Sequence, residues 1–214
     1  MKQILLYADS LSWGIVPGTR RRLEFNDRWP GVLENDLRQR GESARVIEDC
    51  LNGRRTVWED PFKPGRNGLV GLAQRIEIHS PLALVILMLG TNDFQSSHAN
   101  TAWHSAQGIA ALVTAIRTAP IEPGMPVPPV MIVAPPALFV PEGGMSPKFA
   151  GGEKRCTNMA DAYREVSESL CCPFFDSATI IRASAVDGVH LDKETHRRLG
   201  QALAEVVTPL LRIA

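Results

Sequence analysis

A serine, a histidine, a carboxylate and two amide donors stand in this chain where a fold can bring them together. Ser10 closes an apolar run, Ile4 to Ala8, as the second member of an Asp9-Ser10 pair. His190 follows Asp187 by three residues, with Gly188 easing the turn between them. Asn92 sits in Gly90-Thr91-Asn92-Asp93, directly after the most hydrophobic run of the chain, and Gly53 lies in Asn52-Gly53 after a shorter one. Acyl transfer through a serine needs a hydroxyl, a base to take its proton, a carboxylate to fix the base and donors for the developing oxyanion. The four turns offer a candidate for each. Ser10 is the nucleophile, His190 the base, Asp187 the partner of its Nδ1, and the Asn92 amide with the Gly53 and Ser10 N–H groups the oxyanion donors. Each turn alone has a plainer reading. Asp-Ser opens turns and caps helices, Asp-Gly makes a turn anywhere, and Gly-Thr-Asn-Asp ends many strands. The other histidines (His79, His98, His104, His196) fall in predicted helices or at their ends and read as surface or packing residues.

These turns act together only if one scaffold presents them on one edge, so the elements between them matter. Ile4 to Ala8 has no polar interruption and reads as a strand buried on both faces, central in a parallel sheet. Trp29 to Arg40 has helical spacing, with Pro30 in the first turn and Gly41 after its end. Ala44 to Glu48 is a short second strand. Residues 56 to 68 are loop, and Leu69 to Ile78 is a helix. Leu82 to Leu89, closed by Gly90, is a central strand by its length and its ending. Ala102 to Arg117 is a helix, and residues 119 to 129 hold five prolines and form an extended connector. Val130 to Val133 is a fourth strand. Lys154 to Leu170 is a helix, Pro173 to Phe175 a fifth strand, and Asp192 caps a last helix running to about Arg212. The alternation predicts a three-layer α/β/α fold, a flavodoxin-like doubly wound sheet of about five parallel strands.

The 214 residues fit a single domain spanning 1–214. Lys+Arg and Asp+Glu stand at 23 each, so no net field points to nucleic acid or an anionic membrane. The basic run Arg20-Arg21-Arg22 is short and reads as solvated loop. Neither a secretory signal nor a membrane-length apolar run is visible, which makes a cytoplasmic protein the expectation. Cys50, Cys156, Cys171 and Cys172 lack metal-ligand spacing and read as reduced core or near-core thiols. Dinucleotide-binding, P-loop and H-E-x-x-H patterns are absent. The expectation is therefore no cofactor and no metal.

Taken in order, Asp9-Ser10-Leu11, Gly53, Gly90-Thr91-Asn92-Asp93 and Asp187-Gly188-Val189-His190 resemble the SGNH hydrolase (GDSL esterase/lipase) family. The resemblance covers residues 4 to about 205. Asp9 to Gly14, Met88 to Asp93 and Val186 to His190 make it most similar to the arylesterase/acyltransferase (perhydrolase) branch. It implies a serine esterase acting on small-molecule esters, short-acyl or aryl, with acyl transfer to alcohols or peroxide as a further capacity. Lysophospholipase, thioesterase and carbohydrate O-acetylesterase activities fit the same blocks, and a non-catalytic flavodoxin-like binding module would share the fold. The family places Gly before Asp-Ser where this chain has Ala8, so the backbone there should keep a negative φ. Trp13, Phe94, Leu138, Phe139 and Val189 adjoin these blocks or line the apolar loop 138–140, and are candidates for the substrate pocket. That apolar loop and the proline-rich connector also suit a homo-oligomer interface.

Overall fold

A computed structural model describes residues 1–213, with side chains through Arg212. Five strands form one parallel sheet: β1 (Lys2–Ala8), β2 (Ala44–Cys50), β3 (Leu84–Met88), β4 (Val130–Ala134) and β5 (Phe174–Asp176). Their order is β2-β1-β3-β4-β5. The helices are α1 (Ser10–Trp13), α2 (Trp29–Gln39), α3 (Leu72–His79), α4 (Ala102–Arg117), α5 (Gly152–Arg155), α6 (Met159–Ser169) and α7 (Lys193–Ile213).

The predicted layers are present. On one face, α2 and α7 pack Leu33, Leu37, Leu199 and Leu203 against Ile4, Leu6, Ile86 and Met131. On the other, Leu72, Ile109, Leu112 and Tyr163 from α3, α4 and α6 cover Leu5, Leu87 and Ile132. Strands covered twice can have no polar face, which is why β3 and β4 are buried at every position. The edge strands β2 and β5 are only partly buried. Where α2 crosses α7, Gly200 removes the side chain that would block the approach. A Cβ there would stand 2.8 Å from the Trp29 carbonyl oxygen.

Ala8 pairs with Cys50 on one side and Met88 on the other, so β1, β2 and β3 end level. The strand order reverses beside β1, and open α/β sheets bind ligands outside the carboxyl ends of strands at such a point. The loops after Ala8, Cys50 and Met88 therefore leave the sheet together.

Several details differ from the sequence expectation, the strand expected over Leu82 to Leu89 among them, since β3 spans Leu84–Met88. The helix expected over Lys154 to Leu170 is two helices, because Asn158 takes a left-handed conformation (φ 62) between α5 and α6. Leu69 does not begin α3: the Asn67 side chain accepts its N–H in a local turn, and Gly71 (φ 77) delays the helix to Leu72. β2 runs on to Cys50, paired along β1. Asp192 does stand before α7, its carbonyl accepting the His196 N–H at 2.9 Å, but its carboxylate takes the Ser184 hydroxyl rather than capping the helix. All four cysteines are free thiols, and Cys171 is exposed rather than near the core. Among the described residues no helix is long and apolar enough to cross a membrane.

Candidate active site

Ser10 opens α1, a single helical turn set on the end of β1. Asp9 caps that turn, its Oδ1 accepting the Leu11 N–H at 2.9 Å, and Gly14 ends it at φ 87. The plain reading of Asp9-Ser10 as a helix cap is therefore met. Ala8 stays in the strand, outside the left-handed region. The Ser10 side chain is buried beside a cleft and only 6% of the residue is exposed.

Asp187 and His190 form a closed unit. His190 Nδ1 lies 2.7 Å from Asp187 Oδ2, which also accepts the Gly18 N–H at 3.0 Å. Oδ1 accepts the N–H groups of Val189 and His190 at 3.0 and 2.9 Å. Burial alone would raise this carboxyl. The bonds from the His190 ring, the His190 N–H and the Gly18 N–H outweigh it and hold Asp187 well below the usual carboxylate range. A permanent carboxylate on Nδ1 leaves Nε2 as the working nitrogen.

Asn92 stands in a short 3-10 turn (Thr91–Phe94) after β3. Its Nδ2 donates to Asp9 Oδ2 at 2.9 Å and to the Arg54 carbonyl at 3.2 Å, and its Oδ1 accepts from Gln95 Nε2 at 2.8 Å. Gln95 Oε1 in turn accepts from the fully buried Arg55 at 2.8 Å. The relay Arg55–Gln95–Asn92–Asp9 fixes which way both amides point, since only one orientation satisfies every donor. Burial raises Asp9 to about 6, against the Leu11 N–H, the His190 charge, the Asn92 amide and the Arg54 charge, which lower it.

Gly53 lies in the turn after β2 at φ 85, and its backbone N–H, like that of Ser10, has no acceptor among the described residues. A Cβ at Gly53 would meet nothing closer than 3.7 Å, so glycine is required there by the backbone angle and not by space.

Ser10, Gly53, Asn92 and His190 line one cleft with Ile15, Arg20, Asn52, Asp60, Lys63, Met145, Lys148, Phe149 and Val189. Ser10 and His190 both line it, with no hydrogen bond between their side chains among the described residues. Of the pocket candidates, Val189 lines the cleft. Phe94 is fully buried in the core, Leu138 lies nearly so, and neither reaches it. Trp13 packs under the Arg22 guanidinium at 4.7 Å, and Phe139 faces solvent. Neither closeness in sequence to Ser10 and Asn92 nor a place in the apolar loop 138–140 brought these four side chains into the cleft, since each is taken up by the core, by Arg22 or by solvent.

Sequence reasoning gave no role to Arg55, Gln95, Lys63 or Lys148, named Asp93 only as part of its turn, and read Arg20 as solvated loop, whereas Arg20 also lines the cleft. Asp93 is fully buried and accepts the Thr56 N–H and hydroxyl at 2.9 and 2.7 Å and the Ser105 hydroxyl at 2.6 Å. It ties the loop after β2 to the Asn92 turn and α4, a long-range role with no local signature. Among the described residues no group of three or more His, Cys, Asp or Glu side chains is placed to hold a metal.

The family described as GDSL-like lipase/acylhydrolase matches residues 9–198. Among solved structures, the inhibitor-bound aryl esterase of M. smegmatis is 37% identical with a TM-score of 0.92, covering 98% of this chain and 100% of that one. A carbohydrate acetylesterase family member from Sinorhizobium meliloti is 37% identical with a TM-score of 0.93, covering 99% and 100%. Est24, a carbohydrate acetylesterase from Sinorhizobium meliloti, is 33% identical with a TM-score of 0.91, covering 98% and 100%. A lipase/acylhydrolase from Enterococcus faecalis, 18% identical with a TM-score of 0.70, shares the fold. No curated protein matches the chain.

Proposed function

From the premise that the chain belongs to the GDSL-like lipase/acylhydrolase family, we propose that it cleaves small esters through an acyl-enzyme on Ser10. It is a carboxylic ester hydrolase of the serine type. The observation that carries the reading is the Asp187–His190 unit facing the same cleft as Ser10 and two backbone N–H groups without acceptors. His190 Nε2 takes the Ser10 proton as Oγ attacks the carbonyl, and Asp187 stabilises the imidazolium. The oxyanion enters between the Ser10 and Gly53 N–H groups. Asn92 turns one amide hydrogen to it from the Arg54 carbonyl, the longer of its two bonds at 3.2 Å. His190 then protonates the leaving alkoxide, and water repeats the sequence on the acyl-enzyme.

The same acyl-enzyme passes its acyl group to an alcohol or to peroxide when either reaches it before water, so acyl transfer belongs to the proposal. Self-association belongs to it too: Phe139, Val140 and Val186 are exposed apolar side chains, and light scattering on the purified protein reads the stoichiometry.

The test combines an aryl fluorophosphonate with p-nitrophenyl esters from acetate to palmitate and an acetylated sugar. The probe should label Ser10, turnover should peak at short acyl chains, and Ser10→Ala should lose on the order of 10⁴-fold in rate while remaining folded. Activity within tenfold of the wild type in Ser10→Ala removes the serine mechanism.

A further inference from the structure

Three basic side chains reach the cleft from three separate loops. Arg20 comes from the segment between α1 and α2, Lys63 from the loop after β2, and Lys148 from the segment between β4 and α5. The whole chain is balanced at 23 cationic and 23 anionic residues, so this convergence is local and not a reflection of composition. None of the three has a carboxylate within 4.0 Å among the described residues, and none of the three side chains makes a hydrogen bond there.

The one carboxylate lining the cleft is Asp60, and its charge is answered from behind. Arg55, fully buried, lies 3.6 Å from Asp60 Oδ2, while Asp60 Oδ1 accepts the Phe62 N–H at 2.9 Å. Glu142 lies in the adjoining groove that shares Arg20 and His190, and it forms no ion pair with Arg20. The cations also feel one another. Loss of surrounding water pulls the Lys148 ammonium below its ordinary range against the attraction of Asp60, with Lys63, Arg20 and Arg55 adding to the fall. Desolvation, with Arg66 and Arg20 and against Asp60, does the same to Lys63. Like charges gathered from separate loops repel, and that cost is relieved when an anion enters among them.

Resting on the serine-esterase reading above, we propose that this cleft selects esters bearing an anionic group, a carboxylate or phosphate, held by Arg20, Lys63 and Lys148 while the ester carbonyl lies at Ser10. The cleft contains both the nucleophile and the three cations, so the anion and the scissile bond belong to one small molecule. The chemistry of recognition is the same whether the charge is on the alcohol or on the acyl side. The assay separates the two.

Two matched pairs make the test. 4-Acetoxybenzoate against its methyl ester places the charge on the alcohol side, and p-nitrophenyl hemiglutarate against p-nitrophenyl butyrate places it on the acyl side. Each kcat/KM is divided by the alkaline hydrolysis rate of the same ester, which removes intrinsic reactivity. At low salt the anionic member of at least one pair should be preferred by about tenfold, and the preference should shrink toward one at about 0.5 M salt. Arg20→Gln, Lys63→Gln and Lys148→Gln should each lower the anionic-to-neutral ratio about two- to fivefold, and the triple variant about tenfold or more. The ratio is the readout, whatever each substitution does to turnover of the neutral ester. A ratio at or below one in both pairs, or one the triple variant does not move, overturns the inference while Ser10-dependent hydrolysis still upholds the esterase. Turnover within tenfold of the wild type in Ser10→Ala overturns the serine mechanism on which the inference rests.

Discussion

Asn92 carries two duties whose physics differ. As a member of the buried relay it satisfies Asp9 Oδ2 and Gln95 Nε2 in every state of the molecule. As an oxyanion donor it would act only where charge develops, so its contribution there falls on kcat and not on substrate affinity. Asn92→Ala separates the two. We expect kcat to fall by about 10²–10³ with little change in KM. We also expect the fold to lose about 1–3 kcal/mol, because a buried acceptor and a buried donor are left unpaired. Steady-state kinetics and urea denaturation of the same preparation check both halves. A raised KM with kcat unchanged would make Asn92 a ground-state binder. The Gly-Thr-Asn-Asp turn marked it as a candidate donor. Its orientation was not legible there, because Arg55 and Gln95 reach it only through the fold.

The Asp187–His190 turn is positioned by an element that looks like mere connection. Phe139 N–H donates to the Gly188 carbonyl at 2.9 Å and Glu142 N–H to the Asp187 carbonyl at 3.2 Å, so the segment after β4 clamps the turn. Gly188 permits this by its positive φ of 74 and by its lack of a side chain, since a Cβ would lie 2.8 Å from Pro141 Cα. Gly188→Ala should therefore push the turn off the segment, cost about 1–3 kcal/mol of stability, and lower kcat at least tenfold by displacing the imidazole. Thermal denaturation and p-nitrophenyl acetate kinetics test it. A variant of unchanged Tm and rate would show that the turn holds its own shape. The sequence revealed the glycine and the apolar residues of segment 137–152, but not their purpose. Leu138 packs into the core and Phe139 holds the turn through its backbone, while Met145 and Phe149 of the same segment line the cleft.

At the scale of the whole molecule, the repeated strand–helix pattern was readable because both faces of the sheet demand uninterrupted apolar runs, and β1, β3 and β4 supply them. What could not be read is the partnership of α2 with α7. The first N–H of α2, at Trp29, has no capping side chain at Arg28 and is accepted instead by His196 Nδ1 from α7 at 3.2 Å. That histidine is fully buried, and its Nε2 has no partner. Burial first, then the charges of His190 and Arg28, lower its pKa from 6.5 to about 3. The folded protein thus binds fewer protons at His196 than the unfolded chain between pH 6.5 and 3, so stability from this group is lost as pH falls through that window. Asp9 acts with the opposite sign. Its pKa is raised from 3.8 to about 6, so the folded state binds more protons there, and stability falls as pH rises from about 4 to 6. Asp187, held below the usual range, adds stability above about pH 4 that is lost on further acidification. Asp93, fully buried and likewise raised by burial, adds to the Asp9 slope, while His196 and Asp187 oppose it. Removing the histidine should expose the Asp9 slope. His196→Leu should be less stable at pH 7 by about 1–3 kcal/mol, from the unpaired Trp29 N–H, yet gain stability on acidification from pH 6 to 4. Exposed pairs such as Glu42–Arg212 and Glu194–Arg197 titrate alike in both proteins, so the difference between the two curves isolates His196. That difference should move by about 4 kcal/mol in favour of His196→Leu on going from pH 6.5 to 3, at 1.36 kcal/mol per unit of pKa, so that its sign reverses. Urea denaturation at half-unit intervals measures it, and a difference independent of pH would mean that His196 takes up its proton within the folded protein.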